Sequence, residues 1–226
     1  AELMLRLAHP GIVRVFDVGE DPQRGVRFFT MEMLEGQSLR EWIDEHKASG
    51  RAVDVDEALA ITEQLLEALQ YAHQHTVHRD LKPENVFLTP SPGGDSVAVK
   101  ILDFGIAKLQ SASQFTKTSM AMGTAYYMAP EQQQNAAGVD ARADVYSVSV
   151  ILYELLTGEL PVGRFKAPSE IQKGLSTALD RVVFKGHEPK PEDRFGSAGA
   201  LLEAVRGARA GAGSALARLA GPLKWV

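Results

Sequence analysis

One eight-residue stretch, His78-Arg79-Asp80-Leu81-Lys82-Pro83-Glu84-Asn85, constrains this chain more than any other feature. It places a carboxylate, a cation and a side-chain amide on one short turn, so the fold must present all three at a single spot. Asp80 can accept a proton from an attacking hydroxyl, Lys82 can neutralise charge on a transferred phosphoryl group, and Asn85 can offer an oxygen to Mg²⁺. That spacing reads as phosphoryl transfer. Five fixed positions would arise by chance with a probability of roughly 20 to the minus fifth per starting point, so coincidence is negligible.

Eighteen residues beyond Asn85 comes Asp103-Phe104-Gly105, whose carboxylate could hold a second metal position. A Ser/Thr-rich stretch from Ser111 to Ser119 then leads into Gly123-Thr124-Ala125-Tyr126-Tyr127-Met128-Ala129-Pro130-Glu131. With Asp144-Val145-Tyr146-Ser147 and Pro191-Glu192-Asp193-Arg194-Phe195, these motifs resemble the protein kinase family over about residues 1 to 206. The resemblance is closest to bacterial eukaryotic-like serine/threonine kinases. It implies an α+β protein kinase-like fold, with a mainly helical large lobe and a truncated small lobe made of the end of one helix plus two or three strands.

Composition agrees but decides little. With 226 residues and 45% hydrophobic content, the chain can bury roughly 70% of its unfolded surface in one large core. A net charge of -5 argues against nucleic acid as the main partner, which would need a clustered basic face. The absence of cysteine removes disulfides and thiolate metal sites and suits a reducing, cytoplasmic setting. No run of 18 apolar residues forms a membrane segment in this chain.

The resemblance assigns roles residue by residue. Asp80 would be the base, Lys82 would stabilise the transferred group as in serine/threonine rather than tyrosine kinases, and Thr124 would hydrogen-bond both. Asn85 and Asp103 would hold Mg²⁺ through hard oxygen ligands. Met31, Glu32 and Leu34 stand at the hinge facing the adenine of ATP, and Phe87 at the pocket floor. Met4, Val15, His78 and Phe104 would stack between the lobes. Asp144 would hold backbone amides of the catalytic loop, and the arginine Arg194 would pair with Glu131. Thr116, Thr118 and Ser119 are candidate phosphorylation sites whose phosphate would pair with Arg79. The implied partners are ATP and protein substrates.

Local patterning places these motifs on elements. Ala1 to Ala8 reads as about two helical turns, with Glu2 a solvated helix residue rather than an ion-pairing one. Ile12 to Val18 and Val26 to Met33 read as strands around the turn Asp21-Pro22-Gln23-Arg24-Gly25. Asp54 caps a helix whose Ile61, Leu65, Leu69 and Ala72 share one buried face. Asp140 to Thr157 reads as a core helix stopped by Gly158 and Pro161, and Ser197 caps a last helix carrying Leu201, Leu202 and Val205. Residues 1–34 are therefore a remnant of the small lobe with the hinge, 35–206 the large lobe, and 207–226 a linker or frayed helix.

Three departures from the family pattern stand out. The link His73-Gln74-His75-Thr76-Val77-His78 is one residue short and lacks a glycine, and its histidines have no acidic or thiolate company to make them metal ligands. Ser149 stands where relatives have glycine, which predicts crowding in the core helix. A Gly-rich loop and a strand lysine do not occur in the sequence, so the phosphate-clamping half of a kinase site is expected to lie outside it. The alternative is a kinase-fold regulatory module that binds protein partners without catalysis.

Overall fold

The computed structural model describes residues 4–91, 93–94, 96–104, 124–134 and 138–219, with side chains up to residue 211 and excluding that of Thr124. Glu2, Gly105, Thr116, Thr118, Ser119 and the Thr124 side chain lie outside the described residues. Seven helices and two small sheets are present among the rest. This is the expected α+β plan of a helical large lobe with a reduced small one.

The large lobe is built on two central helices. α2 (Val55–Ala72) starts where the Asp54 carboxylate accepts the Glu57 N–H at 3.1 Å, which satisfies one of the unpaired amides of its first turn. Ile61, Leu65, Leu69 and Ala72 recur at helical spacing and are fully buried. Each of the large ones contributes roughly 1.5–3 kcal/mol by leaving water. α4 (Arg142–Thr157) is buried all round from Ala143 to Leu156, the pattern of a helix at the centre of a core. It ends at Gly158 in the left-handed conformation (φ 73°), whose N–H caps the Glu154 carbonyl.

The expected crowding at Ser149 is relieved by its neighbour. The hydroxyl turns back onto the Val145 carbonyl at 2.9 Å, and the residue facing it on α6 (Thr177–Gly186) is Gly186. A Cβ at 186 would lie 1.8 Å from Ser149 Oγ, so the glycine that one helix lacks is supplied by the other.

Around this centre pack α1 (Leu39–Ser49), α3 (Pro130–Gln134), α5 (Pro168–Ile171) and α7 (Ala198–Leu219). Ser38 and Glu41 form a reciprocal capping box at the start of α1. Ser197 accepts the Ala200 N–H at 3.1 Å at the start of α7. That helix runs unbroken past residue 207 to Leu219, the helical option of the two expected there. Ala-rich sequence favours it. Ala208 is buried, and Arg209 pairs with Asp56 and Glu63 at 3.1 Å each, so α7 stays docked along α2 beyond residue 206.

The N-terminal part differs from expectation in detail. Residues 4–6 form a 3₁₀ turn, and the first residues of the helical span expected over Ala1 to Ala8 lie outside the described residues; Met4 is buried and Leu5 exposed. The first strand, β1, spans Val15–Asp21 and not Ile12 to Val18, while β2 spans Val26–Met31. The shift has a cause. Ile12 and Val13 are claimed by the large lobe, with Ile12 bridging Ile101 and the Val13 N–H donating to the Ile101 carbonyl at 3.0 Å. β1 and β2 pair antiparallel around the expected turn, and β2 is exposed along its whole length. A lone hairpin is marginal in water, so its ties to the large lobe matter. Ala8 N–H donates to the Tyr71 hydroxyl at 3.1 Å, and His9 stacks on the same ring at 5.2 Å.

A second sheet, β3 (Gln37–Ser38), β4 (Val86–Pro90) and β5 (Val97–Ile101), lies in the order β3-β4-β5, all antiparallel. Gly36, just before it, has φ 135°, and a Cβ there would sit 2.0 Å from the Leu88 carbonyl oxygen. Only glycine lets the chain after Leu34 come this close to β4.

Candidate active site

The stretch from His78 to Asn85 leaves the end of α2 and is held from below by α4. Asp144, with only 1% of its side chain exposed, accepts the Arg79 N–H on Oδ1 at 2.9 Å and the His78 N–H on Oδ2 at 2.8 Å. The Arg79 carbonyl is held in turn by Gln132 Nε2 at 2.7 Å. Arg79 is thereby kept at φ 63°, a left-handed conformation that costs a non-glycine residue roughly 1–2 kcal/mol. Such strain survives only where the surroundings over-determine it, and it clusters at working sites.

Asp103 has the second positive φ, 43°, of any non-glycine residue described. Its segment is fixed by the residue before it. The Leu102 N–H donates to the Asn85 carbonyl at 2.8 Å, and His78 Nε2 donates to the Leu102 carbonyl at 2.8 Å. Those two bonds bring the loop and the end of β5 side by side. His78 Nδ1 accepts the Asp80 N–H at 3.3 Å, and the ring packs on Phe104 at 4.8 Å. Full burial drives the imidazole below its ordinary pKa, against the pull of Asp144, Asp80 and Asp103. The expected stack has all four members buried: Met4, Val15, His78 and Phe104.

Lys82 Nζ lies 4.0 Å from Asp80 Oδ2, with both side chains about three-quarters buried or more. Pro83 starts a 3₁₀ turn to Asn85 and is itself buried, using the position where a missing N–H costs nothing. Asn85 Nδ2 donates to the Asp80 carbonyl at 2.8 Å, which orients the amide and leaves Oδ1 as the atom that could hold a metal. Asn85 Oδ1, just before β4, and the Asp103 carboxylate, just after β5, are hard oxygen donors, a set that fits Mg²⁺ and does not fit a soft metal.

At the expected hinge, the Glu32 N–H donates to the Arg14 carbonyl at 2.9 Å. Its carboxylate accepts from Lys100 Nζ at 2.6 Å and from the Arg14 N–H at 2.9 Å. Lys100 pairs directly with Phe87 across the β4–β5 ladder, so the ion pair ties Glu32 to the strand next to the one that carries Phe87. Burial would raise the Glu32 carboxyl, but Lys100 and the Arg14 N–H hold it below its ordinary value. Leu34 packs against the core, whereas Met31 is 47% exposed. Thr124 opens a 3₁₀ turn that ends at Tyr127.

Two charged anchors flank the site. Arg194, with none of its side chain exposed, makes two 2.7 Å bonds to Glu131 and reaches the carbonyls of Glu188, Arg142 and Pro189. The second anchor has no counterpart among the sequence expectations. Glu154 sits in the apolar α4 and collects Arg40 at 2.9 Å, Lys47 at 2.8 Å and the Tyr127 hydroxyl. Burial alone would raise its carboxyl, but those donors hold it low, while burial and Glu154 push Tyr127 up. A lone carboxylate in an apolar helical run was the available signal. His73, not expected above to be a metal ligand, reaches Asp144 Oδ2 at 2.8 Å.

Catalytic-loop geometry of this kind, on a two-helix core with an appended hairpin, is that of a protein kinase large lobe. The protein kinase domain profile matches residues 1–202. Pkn1, a serine/threonine-protein kinase of Myxococcus xanthus, is 39% identical over 216 residues, covering 88% of this chain and 30% of that protein. PknB of Mycobacterium tuberculosis is 35% identical over 211 residues, covering 85% of this chain and 32% of that one. In a crystal structure of the Mycobacterium tuberculosis PknI kinase domain, 75% of the solved chain superposes on 92% of this one, with TM-score 0.71 and 32% identity. The chain belongs to the protein kinase family, among its bacterial, eukaryotic-like serine/threonine members. It spans about a third of the length of these curated relatives.

Proposed function

We propose that residues 1–226 carry the half of a serine/threonine kinase site that handles the hydroxyl and the metal, serving ATP-dependent phosphorylation of protein substrates. The observation that supports it most is the double constraint on the loop: Asp144 beneath His78 and Arg79, and Leu102 bridging Asn85 and His78. Asp80 then orients a Ser or Thr hydroxyl and takes its proton at the carboxylate. Lys82, 4.0 Å away, offsets negative charge gathering on the transferred group. Asn85 Oδ1 and Asp103 would hold Mg²⁺, which would supply positive charge to offset that of the phosphates. Met31, the Glu32 and Leu34 backbone and Phe87 would line the adenine, and Thr124 would steady Asp80 and Lys82. Functionally, 1–34 acts as small-lobe remnant and hinge, 35–206 as large lobe, and 207–226 as a linker or tail, helical as far as Leu219.

With no Gly-rich loop or strand lysine in the sequence, residues 1–226 alone transfer little phosphate. Each absent charge-assisted contact to the phosphates weakens the transition state by about 1.5–3 kcal/mol. Purified residues 1–226 with Mg-ATP and a generic protein substrate should therefore stay near background, and robust transfer abolished by Asp80→Asn would overturn this. The metal assignment has a separate readout. Mn²⁺ with ADP should broaden nuclear resonances around Asn85 and Asp103, and equal broadening in an Asn85→Ala/Asp103→Asn variant refutes it.

A further inference from the structure

Gln132 uses both ends of its side-chain amide, and neither the motifs nor the metal chemistry accounts for it. The residue sits in the first turn of α3, which Pro130 opens, and it lines the same small cleft as Asp80, Lys82 and Met128. Its Oε1 accepts the N–H of Ala129, the buried residue before α3, at 3.1 Å, the return bond that a glutamine at the third helical position can make. Its Nε2 donates to the Arg79 carbonyl at 2.7 Å, 53 residues away along the chain. The two ends cannot be exchanged, since an N–H needs an acceptor and a carbonyl needs a donor. An ionised glutamate could make the first bond but never the second.

We infer that Gln132 is a positioning residue for Asp80, tying its backbone to the start of α3. With Asp80 as the base, this role rests on the function proposed above. The Arg79 carbonyl and the Asp80 N–H belong to one planar peptide unit, so holding both poles fixes how that plane is turned. His78 Nδ1 takes the Asp80 N–H from within the loop at a long 3.3 Å, and Gln132 takes the carbonyl from outside it at 2.7 Å. The shorter bond is the one that comes from α3. Losing it frees ψ of Arg79 and φ of Asp80, the two torsions from which the Asp80 side chain starts. The far end of the brace is itself anchored. Glu131, next to Gln132, accepts two 2.7 Å bonds from the buried Arg194, and the Ser147 hydroxyl on α4 donates to the Tyr127 carbonyl at 2.7 Å just ahead of α3. Gln132 passes that anchorage on, so the peptide plane at Asp80 depends on α3 being seated.

The test needs no phosphoryl transfer, so its failure is distinct from failure of the base assignment. In residues 1–226, the Arg79 carbonyl carbon resonance and hydrogen exchange at the Asp80 amide report on the loop. Exchange at Ala129 reports on the start of α3, and Leu65 and Leu69 in α2 serve as reference. Gln132→Glu keeps the acceptor and loses the donor. The Arg79 carbonyl carbon should move upfield and the Asp80 amide should exchange about 3- to 10-fold faster, the factor for one hydrogen bond, while Ala129 stays within about twofold. Gln132→Met keeps the length and loses both bonds, so Ala129 should then accelerate as well. An unchanged Arg79 carbonyl and Asp80 amide in Gln132→Glu would mean that Gln132 merely caps α3 and would overturn the inference. Equal acceleration at Leu65 and Leu69 would overturn it too, as a general loss of stability. Should neither variant fold, the Gln132 side-chain NH₂ of the unaltered protein decides. A nuclear Overhauser contact from it to the Asp80 Hα supports the inference, and absence of that contact overturns it.

Discussion

Replacing Gly186 by alanine tests how the two core helices accommodate Ser149. The added Cβ would stand 1.8 Å from Ser149 Oγ and 2.8 Å from its Cβ, far inside contact distance. Rotating the hydroxyl away forfeits its 2.9 Å bond to the Val145 carbonyl and still leaves the two Cβ atoms too close. The helices must therefore separate, and over-packing of this kind costs about 1–3 kcal/mol. Better helix propensity of alanine returns at most about 1 kcal/mol, and less at position 186, the last residue of α6. A net loss of about 2 kcal/mol follows, or roughly 4–8 °C in Tm for a chain this size. Urea unfolding of Gly186→Ala, Ser149→Gly and the double variant measures it. In the Ser149→Gly background the alanine should be nearly neutral, giving a coupling of about 2 kcal/mol. If Gly186→Ala is as stable as the parent, or loses the same amount in both backgrounds, the steric reasoning is wrong.

Two further outcomes are expected. Arg194→Met should cost about 3–5 kcal/mol in urea unfolding, because it strands Glu131 and removes donors from three carbonyls; a loss below about 1 kcal/mol refutes this. His187, stacked on Tyr146, is pushed down to about 4 by burial and then by Arg194. Its folded value lies below the unfolded one, so stability is full above pH ~6.5 and declines as pH falls toward 4 while the unfolded chain takes up the proton. His187→Phe should flatten that decline in thermal melts taken across the window, and an unchanged pH slope contradicts the assignment.

Much of the large lobe could be read in advance, because its elements carry their own punctuation. Asp54, Ser197 and Gly158 mark helix ends by local hydrogen bonds and backbone preference, which depend on neighbours a few residues away. The strand at Ile12 was placed wrongly because apolar residues suit either of two partners, and only the pull of Ile101 decides between them. Exposure of β2 was illegible for the same reason: apolar alternation promises a buried face without saying what covers it.

The site divides along a similar line. Residue identity and spacing were enough to bring together a carboxylate, a lysine and an amide, since all three lie within six residues of one turn and their chemistry travels with them. Whether that turn is held taut is a tertiary matter. Arg79 at φ 63° is held by Asp144 and Gln132, which lie 65 and 53 residues away along the chain. Glu154 could be seen as an oddity in an apolar helix, but its partners Arg40, Lys47 and Tyr127 come from elements with no sequence relation to it. The sequence alone determined which chemical groups this protein has at its loop and to which family it belongs. Tertiary structure decided how rigidly they are aimed, because long-range hydrogen bonds are set by packing and leave no periodic trace in the chain.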